Sequence, residues 1–392
     1  MKKFLAAILA LALLLSAVAC ASSAPAPAAP TPAPQAAATP TPAPTTAPPT
    51  EAPPAEPPAE AIYIPLISKG FQHKFWQTVN QGAIDAAAKY GVDITFDGPP
   101  SESDISIQVD MLNAVMAKNP AALCLAALDT ESVNEQLADC KSKGIPVIGF
   151  DSGVPNAPAG SIISTASTDN EAAGALAADT IYGIDSVKAA ISGASKDNPI
   201  LLSVISQDAT SASITGRTTG FVKKMSEICE AAQPGLVAVT GHDKWSKASG
   251  SGDIAIEIMV SIAATTSVTD CQTAAQAVLQ RAPLVVFCTN SGSVDGMLSA
   301  TADGSDLDRA NGRYKDLIVV GFDSGATLLN AIRNKWFHGA VTQDPYMIGF
   351  YAVELAYKAI NGEKIDPIVD TGCQYYTSEN MDDPGIAALL YD

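Results

Sequence analysis

The feature that most narrows the fold is a repeated junction. Ile145-Pro146-Val147-Ile148-Gly149-Phe150-Asp151-Ser152-Gly153 has a counterpart in Leu317-Ile318-Val319-Val320-Gly321-Phe322-Asp323-Ser324-Gly325. Each copy is a short apolar run closed by turn residues, the signature of a buried β-strand. In an open parallel α/β sheet, ligands bind just beyond the carboxyl ends of the strands. Two such ends suggest two similar halves, each offering one carboxylate, Asp151 or Asp323, to a shared cleft. The alternative is that Asp-Ser-Gly is only turn chemistry after a strand. Helix capping explains Asp151 poorly, because Val154-Pro155-Asn156-Ala157-Pro158 follows and cannot start a helix directly.

The surrounding pattern fits a doubly wound sheet. Residues 62–67, 92–96, 121–127 and 145–150 read as strands. Between them, 75–90, 104–118 and 132–143 read as helices, the first with Phe75, Val79, Ala83 and Ala86 at helical spacing. The alternation then restarts. Strands are expected at 161–164, 200–206, 236–240 and 284–288, and helices at 170–182, 214–231, 271–280, 293–302, 326–334 and 346–360. Short buried strands alternating with helices argue a parallel sheet with helices on both faces. Residues 244–269 resist this reading. Ser249-Gly250-Ser251-Gly252 is a flexible break, and 254–262 reads as an extra strand at most.

At 392 residues the chain can hold about two domains. Its 41 acidic against 23 basic residues give a formal charge of -18, which excludes nucleic acid as a partner, since phosphates need a basic surface. The seven cysteines and three histidines form no C-x-x-C or metal-ligand spacing, so no metal or cofactor is expected. Cys124 and Cys288 sit in apolar strand-like runs and read as buried thiols. Cys140, Cys229, Cys271 and Cys373 are free to pair in an oxidising compartment.

The amino terminus is a targeting segment. Lys2 and Lys3 precede a short apolar stretch, 4–15, too short to favour a spanning helix, and Ser16-Ala17-Val18-Ala19-Cys20 follows. This resembles the bacterial lipoprotein signal, with 1–20 as the signal peptide and Cys20 as the lipid-bearing residue, although Ala17 stands where leucine is usual. An ordinary secreted protein cut near Ala19 is the alternative. Residues 21–60, almost wholly Ala, Pro, Thr and Ser with a few acids, cannot bury a core and read as a disordered tether.

Several residues are candidates for gripping a ligand. Phe75-Trp76 opens the first helix and offers aromatic faces to the C–H side of a sugar ring, or else is core. Gln72 and His73 precede it on a loop, as ligand contacts or as solvated loop. Arg217, the first arginine in the chain, has a planar fork suited to vicinal hydroxyls or a carboxylate, unless it makes a surface ion pair. Asn290 and Gln343 each follow a strand-like run and suit a polyol, with turn or cap duty as the alternative for Asn290. Asp169 or Asn170 is expected to cap the following helix. Trp245 lies just past strand 236–240 as a second aromatic wall. P-loop, G-x-G-x-x-G, G-x-S-x-G and H-E-x-x-H motifs are missing. Asp151 and Asp323 can be cast as a glycosidase pair, but their neighbours look like gripping groups.

Taken together, Phe75-Trp76 with Gly82-Ala83, Phe150-Asp151-Ser152-Gly153, Thr168-Asp169-Asn170, Gly216-Arg217 with Gly220-Phe221, Thr289-Asn290 with Gly296, Gly321-Phe322-Asp323, and Gln343 before Pro345 resemble the periplasmic sugar-binding proteins of the ribose and galactose type, the solute receptors of ABC importers. The resemblance covers 61–392. It implies an α/β fold of two doubly wound parallel-sheet lobes joined by a three-crossover hinge, the periplasmic binding protein-like I class. The crossovers would fall near 166–168, 343–344 and 369–372, giving 61–167 and 344–369 as lobe 1 and 168–343 and 370–392 as lobe 2. It also implies that the aromatic pair stacks on the sugar ring while Asp151, Arg217, Asn290, Asp323 and Gln343 bond its hydroxyls. The expected partners are a small sugar or polyol, ABC permease and ATPase subunits, and the membrane through the lipid anchor, outside the cytoplasm and without catalysis. His73 and Ser152 depart from the ribose type, which has Asn and Arg there, and 92–99 looks similar to rhamnose and autoinducer-2 receptors. The particular sugar is therefore open. A chemosensory or quorum-signal receptor is the alternative function, and a secreted glycoside hydrolase a more distant one.

Overall fold

In the computed structural model, residues 62–71 and 73–392 are described. The expected signal peptide, Cys20, the tether and Gln72 lie outside them. The chain starts with β1 (Tyr63–Ile67), α1 (Lys74–Tyr90), β2 (Asp93–Asp97), α2 (Ile105–Met116), β3 (Leu123–Leu125), α3 (Asn134–Ser142), β4 (Val147–Phe150) and β5 (Ser164–Ser167). It then leaves this sheet and builds α4 (Asn170–Tyr182), α5 (Asp185–Gly193), β6 (Ile200–Ser206), α6 (Ala212–Ala232), β7 (Val237–Thr240) and β8 (Ile256–Ile262). The same half continues with α7 (Val268–Gln280), β9 (Val285–Cys288), α8 (Ser291–Ala300), β10 (Ile318–Phe322), α9 (Ala326–Arg333) and β11 (Gly339–Gln343). The chain returns for α10 (Pro345–Ile360) and β12 (Ile368–Asp370), and crosses once more for β13 (Cys373–Tyr376) and α11 (Pro384–Ala387).

The strands form two sheets, ordered β12-β5-β4-β3-β1-β2 and β13-β11-β10-β9-β6-β8-β7. Every pairing is parallel except that of β13 with β11. The chain therefore passes between lobes three times, from β5 to α4, from β11 to α10 and from β12 to β13. All three passages use strands at one edge of each sheet, which makes that edge the hinge side.

Strand sequences are apolar on both faces because helices cover both. In β9, Val285 and Phe287 join one core cluster while Val286 and Cys288 join the other. In β1, Ile64 and Leu66 face one cluster and Ile67 the other. Helices α1 and α10 approach closely where Gly82 and Gly349 face each other's backbones. A Cβ on Gly349 would lie 1.8 Å from the carbonyl oxygen of Val79, which no side chain can satisfy.

Some expectations need correction. The strand expected at 161–164 runs Ser164–Ser167, so its end reaches the crossover. Helix α5 was not expected, and β8 is an inner strand between β6 and β7 rather than a doubtful extra. Cys140, Cys229, Cys271 and Cys373 do not pair: all six described cysteines are free, and five are buried.

Candidate functional site

The two repeated aspartates occupy equivalent places. Asp151 follows β4 and Asp323 follows β10, and both take left-handed backbone, with φ of 54° and 75°. Aspartate tolerates this region better than most residues, yet it remains strained, and such strain concentrates where a side chain must be aimed. Both side chains are buried and face the gap between the sheets.

Asp323 is held rigidly within its own lobe. Its Oδ2 accepts from the backbone N–H of Ser291 at 3.0 Å and from Ser291 Oγ at 3.1 Å, and its Oδ1 accepts from Gln343 Nε2 at 2.8 Å. Arg217 Nη1 lies 3.9 Å from Oδ1. The Arg217 guanidinium carbon sits over Phe322, 3.8 Å from the ring centroid. Its Nε donates to Asn170 Oδ1 at 2.9 Å and its Nη1 to the carbonyl of Thr289 at 3.1 Å. Arg217 is 2% exposed, which removes the surface ion-pair alternative. Gln343 also accepts from Thr168 Oγ1 at 3.1 Å, so it ties two of the crossovers together. Asn290 is a helix cap after all: its Oδ1 accepts from the N–H of Ser293, while its Nδ2 donates to Gln207 Oε1 at 2.6 Å. Asp169 caps α4 through Ala172 N–H, as expected.

Asp151 differs. Its carboxylate makes no hydrogen bond to any described residue, and Oδ2 is fully buried. Its one close partner is the Lys69 ammonium, 3.4 Å from Oδ2. Burial pushes the Asp151 carboxyl above its ordinary range, with Lys69 and Arg217 pulling back only in part. Burial alone would lower Lys69, but Asp151, Glu102 and Asp208 outweigh it and hold the ammonium charged. For Glu102, burial is outweighed by Lys69, His73 and hydrogen bonds from Trp76 and Gln207, so it stays ionised below its usual range. Trp76 Nε1 donates to Glu102 Oε1 at 2.8 Å. The Trp76 ring stands edge-on to Phe75 at 5.0 Å and to Phe150 at 6.3 Å. Phe75 and Trp76 thus serve the core and the cavity wall together.

The lobes touch across the gap at several points. Lys69 Nζ donates to Ser213 Oγ at 3.0 Å, and Gln207 Nε2 donates to Glu102 Oε2 at 2.9 Å. Farther from the hinge, Ser103 Oγ accepts from Thr266 N–H at 2.9 Å and also bonds its hydroxyl. Between these contacts Asp151, Asp323, Arg217, Asn290, Gln343 and His73 converge with the aromatic pair on one cavity. As arranged, the cavity is about 20 Å³, room for roughly one water. Anything larger than a water enters only when the lobes part.

Trp245 does not belong to this cluster. It packs on the outer face of its lobe, with Nε1 donating to Thr219 Oγ1 at 2.9 Å and Lys244 over its ring. The turn after β7, an edge-side strand, carries it away. Conversely, Lys69, Glu102, Gln207 and Ser291 belong to the cluster and were not anticipated. All four follow strands: β1, β2, β6 and β9.

Residues 64–364 match the periplasmic binding protein domain family. A D-allose-binding periplasmic protein of Escherichia coli (strain K12) is 24% identical over 309 residues, spanning 77% of this chain and 86% of that protein. A solved structure described as an ABC transporter, LacI family transcriptional regulator from Brachyspira murdochii is 39% identical, with a TM-score of 0.70, over 85% of this chain and 99% of its own. A carbohydrate transporter solute-binding protein from Agrobacterium radiobacter, in complex with D-arabinose, is 25% identical with a TM-score of 0.68, over 85% of this chain and 100% of its own.

Proposed function

The chain belongs to the periplasmic binding protein domain family, and from that membership we propose that it captures a small carbohydrate between its two lobes and delivers it to an ABC permease. The lobes are 61–167 with 344–369 and 168–343 with 370–392, and Cys20 carries the lipid that holds the protein on the outer face of the cell membrane. The relatives matched are binding proteins, and this chain is no enzyme. The glycoside-hydrolase alternative therefore falls.

The observation that carries this function is the state of Asp151. A buried carboxylate that bonds no described residue, beside a charged lysine, is an acceptor waiting for donors. Sugar hydroxyls supply such donors, and a charged acceptor makes those bonds about twice as strong as neutral ones. Arg217, already oriented by Asn170, Thr289 and the Phe322 ring, needs no reordering to bond a ring or hydroxyl oxygen. Ligand groups bonded from both lobes favour the closed arrangement, so binding shifts the hinge equilibrium towards it.

The test is a sugar and polyol screen on the purified chain, read by melting temperature and tryptophan fluorescence. A hit raises the melting temperature and changes the emission of Trp76. A broad screen without any hit overturns the proposal. Lipidation is tested separately, by whether Cys20→Ser releases the protein from the membrane.

A further inference from the structure

The cavity is small and enclosed, and an open groove adjoins it. Away from the hinge, the loop after β2 is tied to those after β6 and β8 through the Glu102–Gln207 and Ser103–Thr266 bonds. Towards the hinge, Asp151 has a second face. It also lines a groove of about 820 Å³, bounded by the loop after β4, the first turns of α4 and α6, and the segment around Ile368. Asp151 is thus the shared wall between the enclosed cavity and an open groove many times larger.

The groove has the chemistry of a sugar subsite. Val154, Pro155, Pro158 and Ile162 give an apolar side. Opposite them, the hydroxyls of Thr165 and Ser167 bond no described residue. Asp169 and Asp370 each use one carboxylate oxygen on backbone N–H groups and leave the other free. No lysine, arginine or histidine lines it, and Lys141 reaches its rim only through the carbonyl of Ala159. Four carboxylates (Asp151, Asp169, Glu171 and Asp370) make it hostile to anions.

We propose that the site takes a ligand longer than one monosaccharide: a disaccharide or other glycoside with one ring in the cavity and an uncharged or cationic second unit in the groove beyond Asp151. This rests on the carbohydrate-binding function proposed above. The size of the groove fits a second ring, and its acids and free hydroxyls match a polyol.

The experiment is calorimetric titration of the full chain with a panel of aldoses, their methyl glycosides, and disaccharides joined through different hydroxyls, with sugar phosphates included. At least one disaccharide or glycoside should bind tenfold or more tightly than its component monosaccharide, and the phosphates should bind more weakly. Ala172→Trp fills the groove from an exposed helix position. It should erase the gain while leaving monosaccharide affinity within about twofold. Monosaccharide binding with every extended ligand weaker or silent overturns the groove subsite and leaves the carbohydrate function standing. So does an equal loss of both ligands in Ala172→Trp. Failure of every sugar to bind sinks both.

Discussion

Asp151 and Asp323 look interchangeable in the sequence, yet their environments predict unequal effects on stability. Replacing each by glycine is the cleanest perturbation. Glycine accepts positive φ without strain, so the backbone contribution is similar at both positions and the difference isolates the side chains. Asp323→Gly strands the part-buried Ser291 N–H and Oγ and the buried Gln343 Nε2. The two side chains can turn to other partners, but the backbone N–H at the start of α8 cannot. At about 1–3 kcal/mol per stranded donor, the whole change should destabilise by about 2–4 kcal/mol. For a unit of lobe size that is roughly 5–15 °C in melting temperature. Asp151→Gly removes a carboxylate that bonds no described residue and whose ionised form burial disfavours. Lys69 keeps Ser213 and Glu102. Relieving the desolvation of Asp151 offsets part of the cost of leaving the buried Lys69 ammonium without its nearest carboxylate, so the expected loss is smaller than for Asp323→Gly. Sugar affinity should fall in both variants, by about tenfold to a few hundredfold for one charge-assisted bond lost. Thermal melts with calorimetric titration separate the two effects. Equal melting shifts in the two variants, or a larger one for Asp151→Gly, would refute the assignment of Asp323 as the structurally bonded member.

Three further outcomes can be checked. Gly349→Ala drives a Cβ into the Val79 carbonyl and should destabilise by about 2 kcal/mol or more as α1 and α10 separate, measured by urea unfolding; an unchanged midpoint would contradict the close approach. Because burial raises the Asp151 pKa above the ordinary 3.8, sugar affinity should decline on the acid side starting above pH 3.8, a limb absent in Asp151→Asn. Protonating Asp151 itself favours the folded state, whereas the stability that Glu102 contributes is present above 4.5 and is lost as pH falls from there through its depressed pKa. Among Cys124, Cys140, Cys229, Cys271, Cys288 and Cys373, only half-buried Cys373 should alkylate in the native chain, because burial pushes Cys140 to about 11 and Cys229 and Cys271 to about 12; mapping the adducts by mass spectrometry tests this.

Much of the architecture is written locally. Apolar runs buried on two faces, amphipathic helices between them and turn residues at strand ends specify a parallel sheet wherever they recur, so the βα alternation and its restart are visible in the letters alone. The strand-end rule likewise points to Asp151, Asp323, Asn290 and Gln343, which line one cavity in the fold. Applied to every strand, it also leads to Lys69 after β1, Glu102 beyond β2 and Gln207 after β6. These were missed because a lone Lys, Glu or Gln in a loop is indistinguishable in sequence from a solvated one. What makes them part of the cluster is burial against the opposite lobe, and burial is a property of the closed gap, not of any segment. Trp245 failed for the complementary reason: it too follows a strand, but β7 lies at the sheet edge, with β8 inserted between it and β6. Strand order is decided by long-range pairing, and it alone determines which strand ends look into the cleft. The same holds for the two aspartates. Identical local sequence gave them the same left-handed turn, while the tertiary neighbours, a ring of donors around Asp323 and a single lysine beside Asp151, decided which is a fixed part of the frame and which is left open for a ligand.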